Sequence, residues 1–271
     1  MLLYNNIDIY ICLMFFIDKK FPWSSKYNPE SKAPFIMSRS KIDLYLKCKR
    51  CAYLDMRLGI KGPKPFPYNL NSRIDALLKV EHDIARKKKI KTKYLEENNI
   101  NAIPYSHPEL DIWRQPFKAA RFHHNETNIT VAGSVDDLWE DEETKKIHIV
   151  DYKSTHTPNF EKLKAFDAPY LIGYKRQAEI YAWILSKIGL NIHQRSYFFY
   201  VNATLKQEIF NNNLDFEYAL VPYDMRDFNW VEKKIIEIKN FLETNKIPAS
   251  TDDCELCKYM RKFFEFVKKK N

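Results

Sequence analysis

Four of the five cysteines stand in two Cys-x-x-Cys pairs, Cys48-Lys-Arg-Cys51 and Cys254-Glu-Leu-Cys257, near opposite ends of a 271-residue chain. In a chain read as intracellular, two such pairs favour a shared metal over disulfides. Four thiolates suit a tetrahedral Zn²⁺ or an iron–sulfur cluster. The competing reading is four unrelated buried thiols. If the pairs meet, they clasp the first helix to the C-terminal segment and close the domain around what lies between. Cys12 falls outside the pattern and reads as a bystander.

The length suits one large domain or two small ones. With 45% hydrophobic and 29% charged residues the chain reads as globular. A net charge of +9 favours polyanionic partners, nucleic acid before anionic membrane. The densest basic run is Arg86-Lys87-Lys88-Lys89, followed by Lys91 and Lys93. It reads equally as a solvated helix end or a phosphate-binding patch. The apolar run from Ile7 to Ile17 is too short to span a bilayer and contains Asp8. No Lys or Arg precedes it, which argues against a secretory signal. The expectation is a cytoplasmic protein with no membrane partner. No Gly-rich phosphate loop is present, which argues against an attached NTPase motor.

Residues 1–36 read as an irregular N-terminal extension, interrupted by Pro22, Pro29 and Pro34. Residues 37–271 read as one α/β domain with a mixed sheet. A first helix begins near Ser38 or Ser40, and a proline-broken loop follows. A second helix starts at about Ser72, where Ser72-Arg-Ile-Asp75 fits a capping box. Its apolar stripe runs Ile74, Leu77, Leu78, Ile84, Ala85, with Glu81 inside it and His82 and Asp83 off it. "NITVAGSVDDLWE" and "KKIHIVDYKS" read as two strands joined by an acidic turn. An amphipathic helix ending at Gly189, two more strands and two C-terminal helices complete the order.

The chemistry concentrates at the end of the second of these strands. Alternate side chains share a face, so Asp151 and Lys153 project together with Ile147 and Ile149. Pairing Trp139 with Lys146 brings Asp136 to the same face, whereas a one-residue slip substitutes Asp137. Two neighbouring carboxylates repel unless a cation or proton lies between them, and Mg²⁺ suits such a set. The bland alternative is an exposed ion pair at a strand end. A glutamate on a core-facing stripe needs a partner, which draws Glu81 into the same group. Gln177 and Tyr181, at i and i+4, share one helix face. Tyr45, Tyr53, Trp113, Tyr174 and Trp183 are candidates for stacking bases, although most aromatics in such a chain serve the core.

This constellation resembles the PD-(D/E)XK nuclease superfamily, within it the RecB-like and CRISPR-associated exonuclease branch. The matching stretches are Gly133-Ser-Val-Asp136, Ile149-Val-Asp151-Tyr-Lys153 and Gln177-Ala-Glu-Ile-Tyr181, with Glu81 as the acid on an upstream helix. The resemblance implies a restriction-endonuclease-like core: a mixed sheet flanked by helices, its two ends joined by the four-cysteine site. It implies that Asp136, Asp151 and Glu81 bind Mg²⁺ or Mn²⁺, that Lys153 assists the attacking water, and that Gln177 and Tyr181 orient a DNA end. The implied activity is a metal-dependent DNA nuclease, an exonuclease in repair, recombination or CRISPR-type processing. Its substrate would be single-stranded DNA or DNA with free ends, with a helicase or other DNA-processing protein as partner. Exonucleases of that branch carry a [4Fe–4S] cluster on one early and three late cysteines. Here the split is two and two, which leaves Zn²⁺ and a cluster both open. The alternatives are a binding module on a decayed nuclease fold, and a metal-stapled partner-binding protein.

Overall fold

The computed structural model describes residues 26–63, 68–204, 206, 208–209 and 211–270. The apolar run Ile7–Ile17, Cys12 and most of the expected extension lie outside the described residues. In chain order the principal elements are β1 (Phe35–Ser38), α1 (Arg39–Lys47), α2 (Lys49–Tyr53), α3 (Asn69–Lys88), β2 (Ala102–Pro104), β3 (Ala120–His124), β4 (Ile129–Gly133), β5 (Asp137–Asp141), β6 (Ile147–Thr155), α4 (Ile172–Lys187), β7 (Arg195–Ala203), β8 (Phe216–Asp224), α5 (Trp230–Glu243) and α6 (Glu255–Lys270). Among the described residues no helix is long and apolar enough to cross a membrane. The chain divides into two compact units, the first comprising Met1–Pro65, His123–Val131 and Glu232–Asn271, the second Phe66–Phe122 and Ala132–Val231.

The first unit is built by the early helices and the C-terminal ones. The first predicted helix is not continuous. Cys48 is extended (φ −156°), α1 ends before it and α2 restarts after it, running through a π-helical turn to Gly59 in the left-handed region (φ 76°). Two tyrosine hydroxyls tie these helices to α5: Tyr45 donates to Glu237 Oε1 at 2.6 Å and Tyr53 to the Thr244 carbonyl at 2.6 Å. Both rings meet Phe241 edge-on, at 4.9 and 5.6 Å between centroids. Such pairs add about 1 kcal/mol each beyond the area they bury.

The second unit holds a five-stranded mixed sheet in the order β2-β5-β6-β7-β8. β5 and β6 form the expected antiparallel hairpin, β6 and β7 run parallel with α4 between them in sequence, and β7 and β8 are antiparallel. The segment "NITVAGSVDDLWE", expected as one strand, forms two. The segment breaks at 134–136, so β4 joins a three-stranded sheet with β1 and β3 while β5 enters the five-stranded one. The hairpin register also differs, because Trp139 pairs with His148 rather than with Lys146. The shift is two residues, so every side chain keeps its face.

The two faces of β6 have different tasks. Val150 and Tyr152 join a core of Leu78, Trp139, Tyr197 and Phe199. Ile149 and Asp151, both buried, point the other way. The buried stripe of α3 is Leu78, His82, Ala85 and Arg86, whereas Leu77 and Ile84 are 50% and 52% exposed. The expected stripe was therefore rotated by about one residue, which puts His82 inside. Its ring stacks on Trp139 at 5.8 Å with 8° between planes, and the flat aromatic wall selects it over an aliphatic chain. Helix α3 starts at Asn69, so Ser72 lies within its first turn and donates to the Tyr68 carbonyl; it forms no capping box.

Candidate active site

The end of β6 and one face of α4 make a chain of hydrogen bonds. Gln177 Nε2 donates to Asp151 Oδ1 at 2.6 Å and to the Tyr181 hydroxyl oxygen at 3.1 Å. The Lys153 ammonium pairs with Asp151 Oδ2 and lies 4.5 Å above the Tyr174 ring centre. Asp151 is 2% exposed, and a carboxylate so buried requires charged and hydrogen-bonding partners on both oxygens. The structure supplies both. Gln177 and Tyr181 are themselves buried, so Gln177 meets Asp151, and Tyr181 meets Gln177, away from solvent.

Asp136 sits in the loop before β5. Its Oδ2 accepts from the backbone N–H of Tyr152 at 2.9 Å, which sets its carboxylate beside the strand bond that follows Asp151. Lys79 of α3 approaches Asp136 Oδ1 at 3.5 Å and Asp75 Oδ2 at 2.8 Å. Asp75 and Lys79 are one helical turn apart, which places both over the same spot. Burial raises the pKa of Asp75, Lys79 lowers it and the Asp136 charge raises it, with a net upward result. Thus Asp75, Lys79, Asp136, Asp151, Lys153, Gln177 and Tyr181 form one connected group.

Glu81 is placed elsewhere. It is six residues past Asp75, about 9 Å along the axis at the α-helical rise. Its Oε2 accepts from the Tyr94 hydroxyl at 2.9 Å, and Lys93 lies 3.9 Å from Oε1. The acid of α3 that faces the Asp136 carboxylate is Asp75, which the sequence reading took for a capping residue.

Sequence reasoning also missed the support beneath Asp136. Asp137, fully buried, accepts from Arg86, from Arg114 Nη2 at 3.2 Å, from the Tyr152 hydroxyl at 2.7 Å and from the Leu138 N–H at 2.8 Å. Arg114 Nε donates to the Asp136 carbonyl at 3.0 Å and its Nη1 forks onto Asp83 at 2.9 Å. The second aspartate of the pair is thus an anchor. Arg86, the first residue of the basic run, is also inside this network, so only its lysines remain for solvent or phosphate. Of the five candidate stacking aromatics, Tyr45, Tyr53, Trp113 and Trp183 are buried, and Tyr174 alone stands at the group.

Gly133 explains the spacing of the Gly-x-x-Asp stretch. A Cβ there would lie 2.6 Å from two atoms of the Tyr181 ring and 3.1 Å from Ile184 Cδ1. A packed ring between helix and strand has no free direction in which to yield. Gly133→Ala is therefore expected to destabilise the second unit by about 1–3 kcal/mol, the usual range for overpacking. It should also disturb the Tyr181–Gln177–Asp151 chain. A thermal melt unchanged from wild type would show that the ring moves aside freely.

In the first unit the four cysteines come together. Cys51 Sγ lies 3.5 Å from Cys254 Sγ and 3.5 Å from Cys257 Sγ, Cys48 Sγ lies 3.9 Å from Cys257 Sγ, and all four lie within 4.8 Å of one another. All are free thiols. The break at Cys48 turns that side chain toward Cys51, and Cys254 and Cys257 sit at the first turn of α6. Burial works against a thiolate at Cys48, but the N–H groups of Cys51 and Thr251 and the neighbouring thiols outweigh it and bring its pKa down to about 6. Burial and the neighbouring thiols push Cys51 upward, while burial, Cys254 and Cys48 push Cys257 up to about 11 against a lowering by Cys51. Four thiols this close together can give up their protons to a shared metal ion. The donor set fits the expected metal.

No curated protein matches the chain. The family model of the PD-(D/E)XK nuclease superfamily matches residues 69–261, from the start of α3 into α6.

Proposed function

Since the chain belongs to the PD-(D/E)XK nuclease superfamily, we propose that it is an active, metal-dependent DNA nuclease whose centre is the Asp136–Asp151–Lys153 group. The single observation that carries this is the bonding of Asp151 to Gln177 and Lys153 with the Asp136 carboxylate on the adjoining N–H. The all-oxygen donor set of Asp136 and Asp151, with Asp75 nearby, fits Mg²⁺ or Mn²⁺. When bound, such an ion polarises a phosphate oxygen and acidifies a water.

The protein's own groups have separate roles. Gln177 fixes the rotation of the Asp151 carboxylate, and Tyr181 fixes Gln177. Lys79 and Lys153 neutralise the two acids before substrate arrives. Lys153, held over Tyr174, offers its ammonium to the water or to the charge that develops on phosphate. Asp75 is the upstream acid of this reading, in place of Glu81. The ordered matches to Gly133–Asp136, Asp151–Lys153 and Gln177–Tyr181 support an exonuclease of the RecB-like branch, serving repair, recombination or CRISPR-type processing.

The spacing of the sulfurs favours zinc at the cysteines. A Zn–S bond of about 2.3 Å gives a tetrahedral S–S edge of roughly 3.8 Å. Three of the six sulfur separations, at 3.5 to 3.9 Å, match that edge, and the other three stay within 4.8 Å. A cluster binds each thiolate to a different iron and holds the sulfurs wider apart.

End-labelled single- and double-stranded DNA and RNA, each incubated with Mg²⁺, Mn²⁺ or EDTA, test the activity. Metal-dependent DNA cleavage with a stepwise product ladder from one end is the expected result. Protein that is folded and metal-replete, binds DNA and cuts nothing would make it a binding module.

A further inference from the structure

A second cluster of metal-ligating side chains lies outside both groups described above. Asp141, His148 and His193 each offer one ligand atom, all within 4.8 Å of one another. They come from the end of β5, the start of β6 and the segment before β7, all in the second unit. His148 is on the face of β6 opposite to Asp151. The two imidazole rings lie 4.1 Å apart.

The hydrogen bonds fix what the atoms can do. His148 Nδ1 faces the Arg195 carbonyl at 2.7 Å, so it carries the proton and donates. Its Nε2 therefore presents a lone pair. That lone pair faces Asp141 Oδ2 at 3.8 Å. Asp141 Oδ1 is already taken by the N–H and hydroxyl of Thr144, at 2.6 and 2.7 Å, which leaves Oδ2 as the open oxygen. Two acceptors that face each other across such a gap repel unless a proton, a water or a metal cation lies between them. His193 Nδ1 accepts from the Arg195 N–H at 2.8 Å, which directs its other nitrogen away from the backbone. Binding through that nitrogen moves the ring proton to Nδ1 and gives up this one contact. The three groups border a cavity of about 380 Å³ that also exposes Asn98, Asn101 and Arg195.

We propose that Asp141, His148 and His193 form a binding site for a divalent transition-metal ion, best suited to Zn²⁺, with an open coordination position facing this cavity. Two imidazoles and a carboxylate select zinc and its neighbours over Mg²⁺, which prefers oxygen and keeps its waters. The Nδ1–H bond to the Arg195 carbonyl is the outer support that metal-binding histidines ordinarily have. Burial lowers the pKa of both histidines. It opposes ionisation of Asp141 too, but the Thr144 bonds outweigh that and its pKa is lowered. These directions favour neutral imidazoles and an ionised carboxylate, with His193 still to move its ring proton to Nδ1 on binding.

The test is zinc stoichiometry and calorimetric titration of the full chain with the four cysteines already loaded. Wild type should bind one zinc beyond the cysteine site. His193→Gln, at a half-buried position, and Asp141→Asn should each weaken that second binding by at least about tenfold. His148→Gln should abolish it, with circular dichroism to show that the variant folds. Cys254→Ser should lose the first zinc and keep the second. Cobalt in the second site should give a spectrum without thiolate charge transfer. The proposal is overturned if wild type binds no zinc beyond the cysteines, or if His193→Gln and Asp141→Asn bind it as wild type does. The first result would mean that the gap holds only a shared proton or a water.

Discussion

Asp151→Asn is expected to lower DNA cleavage about 10³-fold, roughly 4 kcal/mol of transition-state stabilisation, while the protein stays folded. The substitution keeps the shape of the side chain. The Gln177 amide at 2.6 Å still finds an oxygen to donate to. What disappears is the negative charge that pairs with Lys153 and supplies one of the carboxylates of the centre. A neutral amide at a position 2% exposed carries a smaller desolvation penalty than the carboxylate it replaces. The amide NH2 of Asn would, however, face the Lys153 ammonium, so circular dichroism and a thermal melt recorded beside the assay separate loss of the charge from loss of the fold. Asp136→Asn should show a comparable loss. Asp75→Asn should show a smaller one, because Asp75 reaches the Asp136 carboxylate through Lys79. Glu81→Gln separates the two candidate acids: its partners are Tyr94 and Lys93, and cleavage should stay within about threefold of wild type, the ordinary scatter of such effects. A Glu81→Gln enzyme as dead as Asp151→Asn would return the upstream acid to Glu81. An Asp151→Asn enzyme with wild-type turnover would remove the centre from this end of β6 altogether.

Much of this centre was legible because strand geometry is forgiving in one respect. The hairpin register was misplaced by two residues, yet the faces within β5 and β6 are kept because the period of a strand is two, and Asp136, in the loop before β5, still reaches β6 through the Tyr152 N–H. Helix phase offers no such protection. A rotation of α3 by one residue moved His82 from the outside into the aromatic core and took Glu81 out of the stripe. That phase is set by Trp139 and Tyr152, which are distant in sequence, so local periodicity could not report it. The Arg114 contacts were invisible for a related reason. A lone arginine after Trp113 has no pattern, and its worth comes from Asp83, Asp137 and the Asp136 carbonyl converging on it. The Asp75–Lys79 pair did carry a signal, the i, i+4 spacing, but the serine before it suggested a cap instead. The cysteine pairs were legible because their meeting depends on chemistry and not on phase. His148 and His193 lie 45 positions apart with no spacing motif, and only the parallel pairing of β6 with β7 brings them together.

Removing the metal from the four cysteines, or replacing Cys51 or Cys254 by serine, should lower the thermal midpoint by roughly 10 °C, for a loss of about 3–5 kcal/mol. The reason lies in α6. Among its described residues only Cys257 is buried, while Leu256, Tyr259, Met260, Phe263, Phe264 and Phe266 are all exposed. A helix with so little apolar contact cannot be held by packing, because burial supplies most helical stability in proteins. Its attachment within the first unit rests on Cys254 and Cys257 meeting Cys48 and Cys51, together with the bond from Thr251 to the Lys47 carbonyl at 3.1 Å. Without metal, four thiols within 4.8 Å of one another must share their protons, and each added thiolate repels the one favoured at Cys48. Acid should have the same effect as chelation, since protons compete with the metal for every sulfur. The melt, the metal count and the visible spectrum should be recorded together. Colourless protein that releases one zinc and loses stability in step establishes the zinc staple. A brown protein that releases iron instead would replace zinc by a cluster while leaving the staple intact. A melt that does not move when the metal leaves would show that the ends of the chain are held without it.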